Sequence, residues 1–331
     1  MKTLIIAEAG VNHNGKLDLA LQLCDAAKDA GADVVKFQTW KTENLITRHV
    51  EQAEYQVINS GVKESQFDML KKLELSYEEF KIIKKHCDDI GITFASTADE
   101  PESLDFLVEL GIPFIKIGSG DIGNISFLRY MGSKHLPIIL STGMSTLGDV
   151  DVSINALRTG GAADITILHC TTSYPCPYNQ VNLKAMCTLR DAFHLPVGYS
   201  DHTIGNEVAV AAVALGARII EKHFTLSCNM EGPDHAASTE PKAFAELVKA
   251  IRNVELCMGT GTKEPTSAEK EISKVVTKRI VAKKNIAPED LFTSDTICVK
   301  RNDKGLPAKY WDMILNKRSE KSYEADQGIE L

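Results

Sequence analysis

The stretch ARIIEKHFTLSCNMEGPDHAAS, residues 217–238, changes from apolar to ionisable within one residue. Ile219 and Ile220 lead into Glu221, Lys222 and His223, and Asp234 and His235 follow a short loop later. A strand of a parallel α/β sheet delivers side chains to a pocket at its carboxyl end in this way. Other apolar runs end alike. Glu8 and His13 follow the first, Lys36 and Gln38 lie on the second, Thr97 ends the third, Lys116 and Ser119 the fourth, and Ser141 and Thr142 the fifth. Thr172 and Tyr174 follow the sixth, and Ser200, Asp201 and His202 close the seventh. Polar groups at every such end predict a shared pocket rather than a solvated rim.

Three of these groups are lysines, Lys36, Lys116 and Lys222, at positions where an ammonium over a core is disfavoured without compensation. One lysine alone would suggest imine chemistry. Several, beside Ser119, Ser141 and Ser200, suit a cradle for an anion bearing phosphate and carboxylate. Lys222 has a second reading, as a side chain that reaches solvent or pairs with Glu8 or Glu221. His202 and His223 end neighbouring runs and can meet as two imidazole ligands of an open divalent-metal site, exchangeable rather than structural. Such a metal would act as a Lewis acid on an aldehyde oxygen.

The elements that must position these groups follow from period. Eight short apolar runs, 3–10, 33–39, 92–97, 113–118, 137–143, 165–171, 196–200 and 218–223, read as strands. Helical patterns such as 17–31, 76–91, 101–111 and 207–217 alternate with them, several closed by glycine. Eight strand–helix units predict a (β/α)8 TIM barrel over residues 1–260, with an open doubly wound sheet as the alternative. The long polar insertion 40–70 reads as an active-site loop or lid. Residues 261–275, rich in Gly, Pro, Thr and Ser at their start, read as a linker. The remainder, 276–331, has too few apolar residues for a large core of its own and is expected to pack on a barrel or a partner.

Bulk properties narrow the function. The 331 residues are 44% hydrophobic and 25% charged, with a formal net charge of −8, which argues against a nucleic-acid or anionic-membrane surface. No run has the length of a membrane span and the first residues lack the form of a signal peptide, so a cytoplasmic location is expected. The eight cysteines are scattered without paired spacing, which points to reduced, mostly buried thiols.

Read in order, AEAGVNHNG, VVKFQTWKTENL, KIGSGD, ILSTGMST, HCTTSYPCP, GYSDHT, EKHFT and GPDHAAS resemble the sialic acid synthase family from residue 5 to about residue 320. The tail looks like the antifreeze-like (SAF) domain of that family, with VKRNDKG standing where Val-Lys-Arg-Pro-Gly is common. The resemblance implies condensation of phosphoenolpyruvate with an open-chain N-acetylhexosamine, N-acetylmannosamine in the first instance, and water, giving N-acetylneuraminate and phosphate with C–O cleavage. A diacetamido-trideoxyhexose acceptor, giving legionaminic or pseudaminic acid, is the alternative within the family. An imine-forming sialic acid lyase is the alternative of another class, and a non-catalytic barrel a third. By the same resemblance His202 and His223 would hold Mn²⁺, with Co²⁺ or Mg²⁺ as substitutes. Lys36, Thr97, Lys116, Ser119, Ser141, Thr172 and Ser200 would hold phosphoenolpyruvate, Thr172 standing where some members carry Asn. Gln38, Tyr174, Glu221 and Asp234 would contact the sugar, and Glu8 would orient water or move protons. Arg301 would reach the N-acyl group from the other subunit of a swapped homodimer.

Overall fold

The computed structural model describes residues 2–52, 57 and 63–330. Eight strands, β1 (Leu4–Gly10), β2 (Val34–Thr39), β3 (Thr93–Ala98), β4 (Ile115–Ile117), β5 (Ile138–Ser141), β6 (Ile165–Cys170), β7 (Val197–Asp201) and β8 (Ile219–His223), pair in sequence order. All pairings are parallel and β1 closes on β8, so the sheet is a closed barrel and not an open one. Helices return the chain between strands and cover the outside. Tyr77–Ile90 shows why they start and stop where they do: Ser76 and Glu79 form a reciprocal capping box, and Gly91 at φ 71° ends the helix.

Side chains alternate between the two faces of each strand. Inward-facing Ile6, Val34, Ala95, Ile139, Leu168 and Ile219, with Phe114 just before β4, form one buried apolar layer across the barrel. On β7 this position is Gly198, because a Cβ there would lie 2.6 Å from Leu168 Cδ2 and 2.5 Å from the Ile219 carbonyl oxygen. Two residues further along, the inward position turns polar: Glu8, Lys36, Thr97, Lys116, Ser141, Ser200 and Glu221, Cys170 on β6 excepted. An apolar floor thus lies directly beneath an ionisable layer at the carboxyl end. Outward-facing residues such as Val35, Phe94, Ile117 and Ile167 join helix residues Leu23, Phe80, Ile83 and Leu107 in the main core.

The chain divides into two compact units, Met1–Gly259 and Thr260–Leu331. In the second, β9 (Lys278–Ala282) pairs antiparallel with β10 (Ile297–Arg301). Ile280, Phe292, Ile297, Ile314, Tyr323 and Ile329 are buried together, so this unit has a small core of its own. Part of the stretch read as a linker is helical: Ser267–Val276 begins with a capping box between Thr266 and Glu269. Of the insertion read as a loop or lid, residues 53–56 and 58–62 lie outside the described residues. The rest carries helices Thr42–Leu45 and Gln66–Leu73, and Trp40, Met69 and Leu73 pack with Val11. Among the described residues no helix is long and apolar enough to cross a membrane.

His13, expected at the mouth, is instead fully buried with its ring 6.0 Å from that of Phe37. Its Nδ1 accepts from the Gly15 amide at 3.1 Å, and burial lowers its pKa to about 4. An unfolded histidine titrates near 6.5. The unfolded chain therefore takes up a proton below about pH 6.5 that the folded protein refuses until about pH 4, and stability falls as pH drops through that window. Urea denaturation between pH 7 and 4 should show roughly 3 kcal/mol more acid loss in the wild type than in His13→Gln. An equal loss in both would mean that His13 is not held neutral.

Candidate active site at the carboxyl end of the barrel

A cavity of about 240 Å³ opens where the ionisable layer meets the strand ends. Its base is a chain of buried charges. Lys36 Nζ lies 2.6 Å from Glu8 Oε2 and 3.7 Å from Glu221 Oε2, and Lys116 Nζ lies 3.2 Å from Glu221 Oε1. Lys36 also donates to Thr97 Oγ1 at 3.0 Å, Gln38 Nε2 to Glu8 Oε1 at 3.1 Å, and Ser200 Oγ to Glu221 Oε1 at 2.9 Å. Register brings Glu8 beside Lys36 and Ser200 beside Glu221 on neighbouring strands, while Lys36 and Lys116 reach Glu221 across the barrel interior.

Burial works against every one of these charges. For Glu221 the opposing ammonium groups of Lys116 and Lys36 win, and its carboxyl is held down at about 2. Burial and the like charge of Glu221 prevail at Glu8, which is raised in spite of Lys36. Lys36 is raised because two carboxylates outweigh its own desolvation. Ser141 Oγ, also on the cavity wall, is buried without a hydrogen-bond partner among the described residues, which is the condition a bound ligand would relieve.

The two imidazoles sit on the same wall, ring centres 5.5 Å apart, with the Tyr174 ring 4.3 Å from His202 and 5.6 Å from His223. His202 Nδ1 donates to the Thr171 carbonyl at 2.7 Å, which leaves Nε2 as the lone-pair nitrogen. His223 Nδ1 is buried without a hydrogen-bond partner and lies 4.0 Å from Asp234 Oδ2. Burial lowers both rings, His223 to about 3 with help from His202, so both are neutral donors at ordinary pH. Burial and then Glu8 push Asp234 the other way, to about 7.

Ser119 and Thr172 face each other across Gly143. Gly143 donates its amide to Ser119 Oγ at 2.9 Å, and a Cβ there would fall 2.2 Å from Thr172 Oγ1. Four expectations are corrected, those for Lys222, Asp201, Thr142 and His235. Lys222 does not join the cradle: its Nζ bonds Asp201 Oδ2 at 2.7 Å and the Thr203 carbonyl at 2.6 Å, because it alternates with inward-facing Glu221 and His223. Thr142 turns back to the Leu168 carbonyl, and His235 bonds Thr225 Oγ1 through Nδ1, so neither lines the cavity. Arg301 lies in the second unit, exposed at the end of β10.

Asp99, Met144 and Cys170 also line the cavity and were not named from sequence. Asp99 follows Thr97 by two residues and so continues the inward face of β3; burial and then Asp121 raise it to about 7. Cys170 is the inward residue of β6, while Met144, at φ 61°, is exposed on the rim. A larger hollow of about 810 Å³ lies around Thr3, Val197 and Ala217, at the amino-terminal end where barrel enzymes do not place their chemistry.

Comparison with known proteins agrees with this geometry. The sequence profile of the NeuB family matches residues 23–263. N,N'-diacetyllegionaminic acid synthase of Campylobacter jejuni is 47% identical over 330 residues, covering 99% of this chain and 99% of that protein. The synthase of the same name from Legionella pneumophila is 43% identical over 322 residues, 96% of this chain and 90% of that one. The solved structure of N-acetylneuraminic acid (sialic acid) synthetase from Leptospira borgpetersenii is 34% identical, with a TM-score of 0.74 over 82% of this chain and 90% of that chain. The chain therefore belongs to the NeuB family and is an enzyme, a synthase of the sialic acid type.

Proposed function

We propose that the cavity condenses phosphoenolpyruvate with an open-chain, N-acylated hexosamine and water, giving a nine-carbon 2-keto acid and inorganic phosphate. The observation that carries this reading is the buried Glu8–Lys36–Glu221–Lys116 chain, which sets two lysine side chains at the base of the cavity. An anion with phosphate and carboxylate groups matches them, and Thr97, Ser119, Ser141, Thr172 and Ser200 supply hydroxyls on the same walls. Lys36, Lys116 and Lys222 are each paired with a carboxylate, so none of these three stands uncompensated as an imine-forming nucleophile would.

In this scheme C3 of the enol attacks the aldehyde carbon, water adds to the cationic C2, and phosphate leaves with its bridging oxygen. Lys36 and Lys116 stabilise the charge that develops on the departing group. Glu8, oriented by Gln38 and Lys36, takes a proton from the attacking water. Asp234, titrating near 7, can deliver a proton to the former aldehyde oxygen. Gln38, Tyr174 and Glu221 contribute the remaining sugar contacts. Two neutral imidazoles, one with its outer nitrogen tied to a carbonyl, fit a divalent cation, so His202 and His223 would hold Mn²⁺, or Co²⁺ or Mg²⁺ in its place. Bound there, the ion would supply Lewis-acid polarisation of a carbonyl oxygen.

The names of the relatives at 47% and 43% identity favour a diacetamido-trideoxyhexose as acceptor, with a legionaminic acid as product. N-acetylmannosamine is the second reading, favoured by the name of the solved relative. In the same proposal the second unit is an antifreeze-like domain, the protein is a homodimer, and Arg301 holds the N-acyl group of a sugar bound to the partner.

Incubation with phosphoenolpyruvate, Mn²⁺ and a panel of both sugar types should release phosphate and a keto acid of matching mass, fastest with the diacetamido sugar. Phosphate release lost on chelation and restored by Mn²⁺ is expected, whereas hydrolysis without condensation would end the proposal. For the dimer, His223→Ala and Arg301→Ala chains should each be nearly inactive and regain activity when mixed and allowed to exchange. Confirmed exchange without recovery would place Arg301 in its own chain's site or in none.

A further inference from the structure

Lys222 sits between two cavity residues, is buried, and takes no part in the scheme above. β7 and β8 are parallel, with Ser200 opposite Glu221 and Asp201 opposite Lys222. Alternation sends Ser200 and Glu221 into the cavity and Asp201 and Lys222 to the other side. There Lys222 Nζ donates to Asp201 Oδ2 at 2.7 Å and to the Thr203 carbonyl at 2.6 Å. Asp201 Oδ1 accepts from the Thr203 amide at 2.9 Å and from Thr203 Oγ1 at 2.7 Å. The two charged side chains are 3% and 0% exposed.

These bonds enclose His202. The residue before it grips the residue after it, and Lys222, the neighbour of His223, grips both. The His202 carbonyl is held as well, by the Cys176 amide at 2.7 Å. A buried ion pair contributes little net stability compared with well-packed apolar side chains. What it supplies here is a fixed geometry, since two ligands, one just after β7 and one ending β8, must keep their separation within about 0.5 Å to share one ion.

We infer that Asp201, Lys222 and Thr203 form a positioning clamp that sets the separation of His202 and His223, and through it the affinity for a divalent cation. The inference rests on the proposed reading of that histidine pair as cation ligands. Mn²⁺ binding, followed by electron paramagnetic resonance in the full-length protein without substrates, tests it. Wild type and His223→Ala set the two limits. Asp201→Asn, Lys222→Met, the double variant Asp201→Asn/Lys222→Met and Thr203→Val are compared with them, and circular dichroism checks each fold. The single charge variants leave a buried charge unpaired and can fail to fold; the double variant removes both charges, and Thr203→Val removes one hydrogen bond and no charge. Affinity should fall about 10- to 100-fold in the folded charge variants and by a smaller factor in Thr203→Val, with Thr203→Ser restored towards wild type. Wild-type affinity in Thr203→Val and in every folded charge variant would overturn the clamp. No binding by wild type, or binding by His223→Ala equal to wild type, would instead sink the ligand reading itself.

Discussion

The site depends on burying two lysines beside two carboxylates inside a protein core. An isolated lysine at the depth of Lys36 would lose its proton rather than its water. Glu8 and Glu221 prevent this at Lys36, and the lysines in return hold Glu221 ionised, while burial prevails at Glu8. Each of the four needs its partners at contact distance, so strand register, barrel closure and the apolar layer beneath cannot shift independently. A one-residue slip of β2 would carry Lys36 out of the cavity and Val35 or Phe37 into it.

The charges in and beside the cavity are graded rather than uniform. Glu221, between two ammonium groups, stays ionised, while Asp99 and Asp234, where burial dominates, titrate near neutrality. Environments that drive carboxyl groups apart in this way create acids and bases from one residue type. The histidines are neutral for the same reason that these aspartates titrate high: burial disfavours the charged form of each. A bound anion would add negative charge beside Glu8, which favours its protonated form, so substrate binding and proton position are coupled.

Much of this was legible because the barrel writes each strand as an apolar run with a polar end. The pattern from Ile6 to Glu8, Val34 to Lys36 and Ile219 to Glu221 places both layers. Strands began one residue later than their apolar runs where rim residues are used otherwise, as with Asp33, whose carboxylate accepts from the Ile5 amide and binds Arg252. Lys222 lies off the cavity because side chains alternate along a strand: a residue between Glu221 and His223 cannot share their face. Asp99 was overlooked for the converse reason, since it continues the Thr97 face past the strand end. The helix Ser267–Val276 carried a readable Thr266–Glu269 capping signal, outweighed by the surrounding glycine, proline and threonine.

The central claim is that the buried lysines hold a phosphate that leaves from carbon, and the fate of one oxygen tests it. Phosphoenolpyruvate carrying ¹⁸O in its C–O–P bridge, turned over with the preferred sugar, can be followed by mass in both products. The bridging label is expected in inorganic phosphate, with solvent oxygen at C2 of the keto acid. Label retained in the keto acid would mean that water attacks phosphorus, and would contradict the assignment of Lys36 and Lys116 to a departing phosphate.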